Sequence, residues 1–238
     1  MTVVGPADGE GRQGAVRPER LARSIDVVRL GFMAYDEALE VQARQVDARR
    51  SGGAGDTLLL VEHPAVITLG ARNRIAASHI VASDAELARQ QVSVHQTGRG
   101  GDVTYHGPGQ LVGYPILDLR PDRCDVHQYV RDLEEALILA IALLGVTGVR
   151  VSGLSGVWVG ATGREEKIAA IGVRISRWIT SHGFALNVST NLEHFGLIVP
   201  CGIAARGVTS MERVLGRPVP MADVEAAVVD GMARVFRA

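Results

Sequence analysis

Tyr35, Ala38, Leu39, Gln42, Ala43 and Val46 recur at helical spacing, which predicts one buried helix face over about 34–50, closed by the flexible stretch Arg49–Gly55. Thr57–Glu62 is a short apolar run halted by His63-Pro64, the pattern of a buried strand, and Val66–Leu69 reads as its continuation. The strongest helical stripe is Val130, Leu133, Leu137, Ile141 and Leu144, predicting a helix over about 126–144 stopped by Gly145. Val224, Ala227, Val228, Met232 and Val235 predict a C-terminal helix over 222–236. Between these helices lie β-rich runs near 148–151, 156–160, 167–175 and 182–188, with another at 111–119. Capping spacing marks helix starts at Ser83/Glu86, Asp125/Gln128, Thr190/Glu193 and Thr209/Glu212. Strands and long helices do not alternate regularly, so the fold class expected is α/β with a mixed α+β sheet and helices packed on it, rather than a doubly wound parallel sheet.

The 238 residues are 47% hydrophobic, with 25 basic and 26 acidic side chains and a net charge of -1. That balance argues against a partner held by phosphate neutralisation, so no nucleic acid is expected, and against disorder. No run reaches the roughly 20 apolar residues of a membrane span, and residues 1–24 read as a loose Gly-, Arg- and Pro-bearing tail without a signal sequence. A cytoplasmic location, no membrane, and one main domain over 25–238 are expected. The two cysteines, Cys124 and Cys201, form no C-x-x-C pair, and the seven histidines form no H-x-x-x-H, so no metal site is expected. The absence of G-x-S-x-G weakens a serine-hydrolase reading.

Charge composition singles out one residue. Of the 25 basic side chains only Lys167 is a lysine. Either the composition is simply biased toward Arg, or Lys167 sits where a cation must release a proton, which Arg cannot do. The densest glycine cluster, Gly98 to Gln110, is an ordinary turn or a loop whose backbone approaches a ligand, with Arg99 and His106 adding a cation and a titratable ring. Cys201 lies in the apolar run Ile198–Ile203, which suits an inert buried thiol unless a cation or base such as Lys167 stands beside it. Cys124 has no comparable setting, and His63 and His182 fall at strand edges where packing or hydrogen bonding is the common role.

Taken in order, Arg99-Gly100-Gly101-Asp102-Val103-Thr104-Tyr105-His106-Gly107-Pro108-Gly109-Gln110, Ser155-Gly156-Val157-Trp158, Lys167-Ile168-Ala169-Ala170-Ile171-Gly172, His182-Gly183-Phe184-Ala185-Leu186-Asn187 and Pro200-Cys201-Gly202 resemble the lipoyl(octanoyl) transferase family, also called lipoate-protein ligase B. The resemblance spans about 25–215. It implies a fold similar to the catalytic domain of biotin and lipoate ligases. It also implies transfer of an octanoyl group from octanoyl-acyl carrier protein to a lysine of lipoyl domains, those of 2-oxoacid dehydrogenase complexes and of the glycine cleavage H protein, with no cofactor. By the same resemblance Cys201 is the nucleophile that carries the acyl group and Lys167 its proton acceptor. Arg99 to His106, Ala170, Ile171, Gly172, Gly183, Phe184 and Ala185 are the substrate-binding segments, and His182 is a supporting residue. Clustering near the loop further suggests Arg72, Arg74 and Arg99 as a docking patch for an acidic carrier. An ATP-dependent ligase and a non-catalytic carrier-binding module are the rival readings.

Overall fold

The computed structural model describes residues 23–71, 77–199 and 206–236. A six-stranded sheet runs in the order β1-β2-β6-β9-β8-β7, formed by β1 (Ile25–Phe32), β2 (Asp56–Glu62), β6 (Gln110–Ile116), β9 (Ile179–Asn187), β8 (Glu166–Ser176) and β7 (Val157–Val159). β1 and β2 are parallel and every other neighbouring pair in this sheet is antiparallel. A smaller sheet has the order β4-β3-β5, from β3 (Val66–Leu69), β4 (Ser93–Gln96) and β5 (Val103–His106). The helices are α1 (Tyr35–Ser51), α2 (Asp84–Arg89), α3 (Val126–Leu143), α4 (Met211–Leu215) and α5 (Met221–Phe236), with a 3-10 turn at Leu192–Leu197.

β2 reads as one apolar run because both of its faces are covered. Leu58 and Leu60 enter the core under α3 and α5, whereas Leu59 and Val61 enter the core under α1. β6 divides in the same way, with Leu111 on one side and Val112, Tyr114 and Ile116 on the other. Helices α3 and α5 pack against each other at Gly231, where a Cβ would lie 2.2 Å from the Ala136 carbonyl oxygen. Ile67, Leu69, Val103 and Tyr105 of the small sheet close a third core with Leu87, Leu197 and Ile198.

Most predicted elements are present within a residue or two. Ser83 and Asp125 cap α2 and α3 by accepting from the backbone N–H of Glu86 and Gln128. The other two starts shift by one residue: Asn191 caps the 3-10 turn and Ser210 caps α4. Thr209 is committed instead to the β8 backbone, its N–H donating to the Lys167 carbonyl. Val66–Leu69 does not continue β2 but founds the second sheet, because Pro64 breaks the ladder. No strand forms over 148–151, which contributes only the bridge of Val149 to Trp158. Among the described residues no helix is long and apolar enough to cross a membrane.

Candidate active site

Lys167 lies near the start of β8. Its backbone N–H donates to the Gly207 carbonyl (2.9 Å) and its carbonyl accepts from the Thr209 N–H (3.0 Å), a parallel bridge that pins residues 207–209 against it. The side chain sets Nζ 4.6 Å from the centre of the Trp158 ring, which is fully buried. Burial lowers the Lys167 pKa to about 8, and the negative charge of Glu134 opposes that fall. Glu134 is itself fully buried on α3 and accepts from the Gly156 N–H (2.9 Å) and from Arg131 and Arg150 at 2.6 and 3.2 Å. Gly156 has φ +106, and a Cβ there would meet the Ala169 carbonyl at 2.5 Å and Lys167 Cε at 3.4 Å. Ser155-Gly156-Val157-Trp158 therefore forms one flank of the Lys167 side chain.

From Lys167 a cavity of about 150 Å³ runs along β8 and β9, comparable with an engineered cavity that takes up benzene. Ala170, Ile171 and Gly172 line it from β8, and His182, Gly183, Phe184 and Ala185 from β9. Arg99, Gly101, Asp102, Val103, Thr104 and His106 line it as well. Gly100 and Tyr105 are not part of the lining. Gly100 packs under Val173, whose carbonyl would be 2.9 Å from an added Cβ, and Tyr105 turns toward His194 and Phe195 in the third core. Gly172 and Gly183 are likewise small because neighbouring backbone is close: their added Cβ atoms would lie 3.0 Å from the Gly100 oxygen and 2.1 Å from the Gly113 oxygen.

Arg99 is 7% exposed, which removes it from any carrier-docking surface; Arg72 and Arg74 lie outside the described residues. Its guanidinium donates to the Thr68 carbonyl (2.6 Å), to Thr68 Oγ1 (2.9 and 3.1 Å) and to the Gly100 carbonyl (3.1 Å). Burial pushes its pKa down, and nearby Tyr35 and Asp102 oppose this. His79 Nδ1 stands 2.6 Å from Asp102 Oδ2. Burial lowers His106 to about 3 and His182 to about 4, with Arg99 adding to both effects, so both rings are neutral near pH 7.

A chain of hydrogen bonds crosses the floor. His106 Nδ1 donates to Gln110 Oε1 (2.8 Å), Gln110 Nε2 donates to Asn187 Oδ1 (2.9 Å), and Asn187 Nδ2 donates to the Thr209 carbonyl (2.9 Å). The glycine-rich segment is thereby tied to the strand-like segment beside Lys167. His63, fully buried, bonds the Met33 carbonyl through Nδ1 and the Tyr114 hydroxyl through Nε2, both at 2.9 Å. This gives it the packing role expected at a strand edge. Sequence patterns did not single out Tyr35, Tyr114, Glu134 or Val208 as site residues. Each is an ordinary core or loop position by periodicity, and only long-range pairing brings it to the site.

Cys201 lies outside the described residues, as do Pro200 and Gly202. Val199, before them, donates its N–H to the His79 carbonyl (2.7 Å). Arg206, after them, pairs with Glu165 and lies 6.0 Å from the Trp158 ring centre. Cys124 is exposed at the foot of α3.

The lipoyl protein ligase A/B catalytic domain family matches residues 34–233. An octanoyltransferase of Myxococcus xanthus is 54% identical over 215 residues, covering 90% of this chain and 60% of its own length. One of Chloroflexus aggregans is 51% identical over 215 residues, covering 90% of this chain and 96% of its own length. Among solved structures, a bi-partite lipoate protein ligase of Thermoplasma acidophilum superposes with TM-score 0.69 at 16% identity, over 91% of this chain and 84% of its own. A biotin protein ligase of Aquifex aeolicus superposes with TM-score 0.54 at 14% identity, over 89% of this chain and 70% of its own. The fold is thus the one shared by lipoate and biotin protein ligases, and on family match and sequence identity together the chain belongs to the octanoyltransferases of the lipoyl protein ligase A/B catalytic-domain family.

Proposed function

We propose that the chain takes an octanoyl group from octanoyl-acyl carrier protein onto Cys201 and passes it to a lysine of a lipoyl domain. Lys167 Nζ accepts the Cys201 thiol proton, and the thiolate attacks the donor thioester carbonyl. The carrier's thiolate leaves and takes the proton back from Lys167. The acceptor lysine's neutral amine then attacks the enzyme thioester, the C–S bond breaks as the amide forms, and the proton lost by the amine passes through Lys167 to the departing Cys201 thiolate. One thioester is exchanged for another in the first half, so ATP has no part in it, and amide formation drives the second.

The observation that supports this most is the state of Lys167. A lysine near pKa 8 is neutral in about a tenth of molecules at pH 7, far more than an ordinary lysine, and a proton acceptor needs that neutral form. Arg206, five residues after Cys201 in the sequence, and Lys167 also address the same Trp158 ring. The cavity beyond Lys167, lined by Val112, Ile171, Phe184 and Ala185, is an apolar place for an acyl chain.

The test is transfer without nucleotide. Octanoyl-carrier, lipoyl domain and enzyme are mixed without ATP, and the lipoyl domain is weighed. The wild type should add one octanoyl group and Cys201→Ala should add none. Modification that appears only with ATP and free octanoate would make the chain a ligase instead.

A further inference from the structure

His182 occupies an unusual place. It stands in the middle of β9, paired with Val173 of β8, yet its backbone is left-handed with φ +55. A side chain rarely adopts that conformation unless its surroundings impose it. The left-handed backbone breaks the alternation of the strand. Leu186 faces the α3–α5 core, whereas the His182 ring packs against Tyr114 on the α1 side, with centroids 6.4 Å apart. On that side the Gln42 side chain of α1 holds the backbone, Oε1 accepting from the His182 N–H. The ring is 8% exposed, and its Nδ1 is a buried nitrogen without a hydrogen-bond partner among the described residues. A hydrogen bond at Nδ1 therefore does not account for the imidazole, whereas its place does.

That place is between two spaces. His182 lines the cavity that begins at Lys167, and it also lines a second cleft of about 260 Å³ between α1 and the β8–β9 hairpin. Leu39, Ala43, Val46 and Ile179 give the cleft an apolar lining beside the polar Gln42, Arg174, Ser176 and Ser181, the Arg174 charge acts on the His182 ring, and Arg50 pairs with Asp47. Lys167 and Val173, which pairs with His182, are six positions apart on β8, about 20 Å of strand, so an extended eight-carbon chain of roughly 9 Å fits between Lys167 and the ring.

We infer that the His182 ring is the end wall of the acyl cavity and sets the longest acyl chain accepted, and that the cleft behind it accommodates a longer chain once the ring is removed. The inference rests on the acyl reading of the cavity given above. His182→Gly is the natural variant, because glycine adopts φ +55 without strain and the N–H bonded to Gln42 is retained. Each methylene newly buried is worth about fourfold in selectivity.

The experiment measures kcat/KM for octanoyl-, decanoyl- and dodecanoyl-carrier with a lipoyl domain, for wild type, His182→Gly and His182→Gly/Ala43→Phe. The dodecanoyl-to-octanoyl ratio should rise roughly 10- to 200-fold in His182→Gly and fall back in the double variant, whose added phenyl ring fills the cleft. If the glycine variant turns over too slowly, calorimetric binding of dodecanoate against octanoate to the same proteins supplies the ratio. An unchanged ratio in His182→Gly, with normal octanoyl transfer by the wild type, would overturn the end wall alone. A wild type that transfers no octanoyl group would overturn the acyl reading and the end wall with it.

Discussion

Replacing Lys167 by Met keeps the length of the side chain and removes its charge, so it separates what the ammonium does for chemistry from what it costs the fold. The group titrates at about 8 in the folded chain against 10.5 for a free lysine, a gap of about 3 kcal/mol at ~1.4 kcal/mol per pH unit. The folded state binds this proton less tightly than the unfolded state. The cost is therefore complete below pH 8, shrinks between pH 8 and 10.5, and is gone above that range. Losing the contact with Trp158 gives back about 1 kcal/mol. Lys167→Met should then be about 2 kcal/mol more stable than the wild type at pH 7, which for a chain of this size raises Tm by about 4–8 °C. Transfer should fall by about 100-fold or more, the usual worth of a positioned proton acceptor. Urea unfolding at pH 7 and pH 10, followed by circular dichroism, reads the stability. An advantage at pH 7 that shrinks at pH 10 is expected, and a variant less stable than wild type at pH 7 would refute the buried-cation reasoning.

The rate kcat/KM should rise with pH through a limb near 8, where Lys167 loses its proton, and Glu134→Gln should move that limb downward by up to about one pH unit, because the carboxylate opposes the fall of the lysine's pKa while the amide can still accept from Gly156. A limb that stays in place would show that Glu134 does not act on Lys167. Gly183→Ala forces a Cβ to 2.1 Å from the Gly113 oxygen and should cost about 2–3 kcal/mol in urea unfolding; a neutral substitution would contradict the close β6–β9 contact. His182 is held at about 4, below the 6.5 of a free histidine. The unfolded chain therefore takes up the proton first, and stability is lost as pH falls from 6.5 toward 4, by about 3 kcal/mol for this group. His182→Asn should flatten that decline in urea midpoints, and an identical decline would show that the ring is not buried neutral.

How far the sequence carried differs by element. Helices α1, α3 and α5 were legible because one face of each is buried and the 3.6-residue period survives. β2 and β6 were legible as runs because both faces are covered. β1 was not, since it lies at the sheet edge with several of its residues outside the core, and β5 was hidden within a glycine-rich segment that reads as loop. The capping signals were right where the cap was a free side chain and shifted by one where the residue was committed to a tertiary bond, as Thr209 is to β8. At the site, the lone lysine and the motif residues were visible one by one. Their convergence depends on β8 pairing with both β9 and the 207–209 segment, which no local pattern encodes. The partners that tune the site, Glu134 from α3 and Tyr114 from β6, looked like core positions for the same reason.

The central claim is that an acyl group rests on Cys201 between donor and acceptor, and intact-protein mass spectrometry tests it most directly. Wild type and Cys201→Ala are each mixed with octanoyl-acyl carrier protein in the absence of ATP and weighed, then weighed again after a lipoyl domain is added. The account predicts a gain of one octanoyl group on the wild type alone, stable until the lipoyl domain discharges it. A gain on Cys201→Ala as well, or transfer to the lipoyl domain with no gain on the wild type at any time, would contradict it.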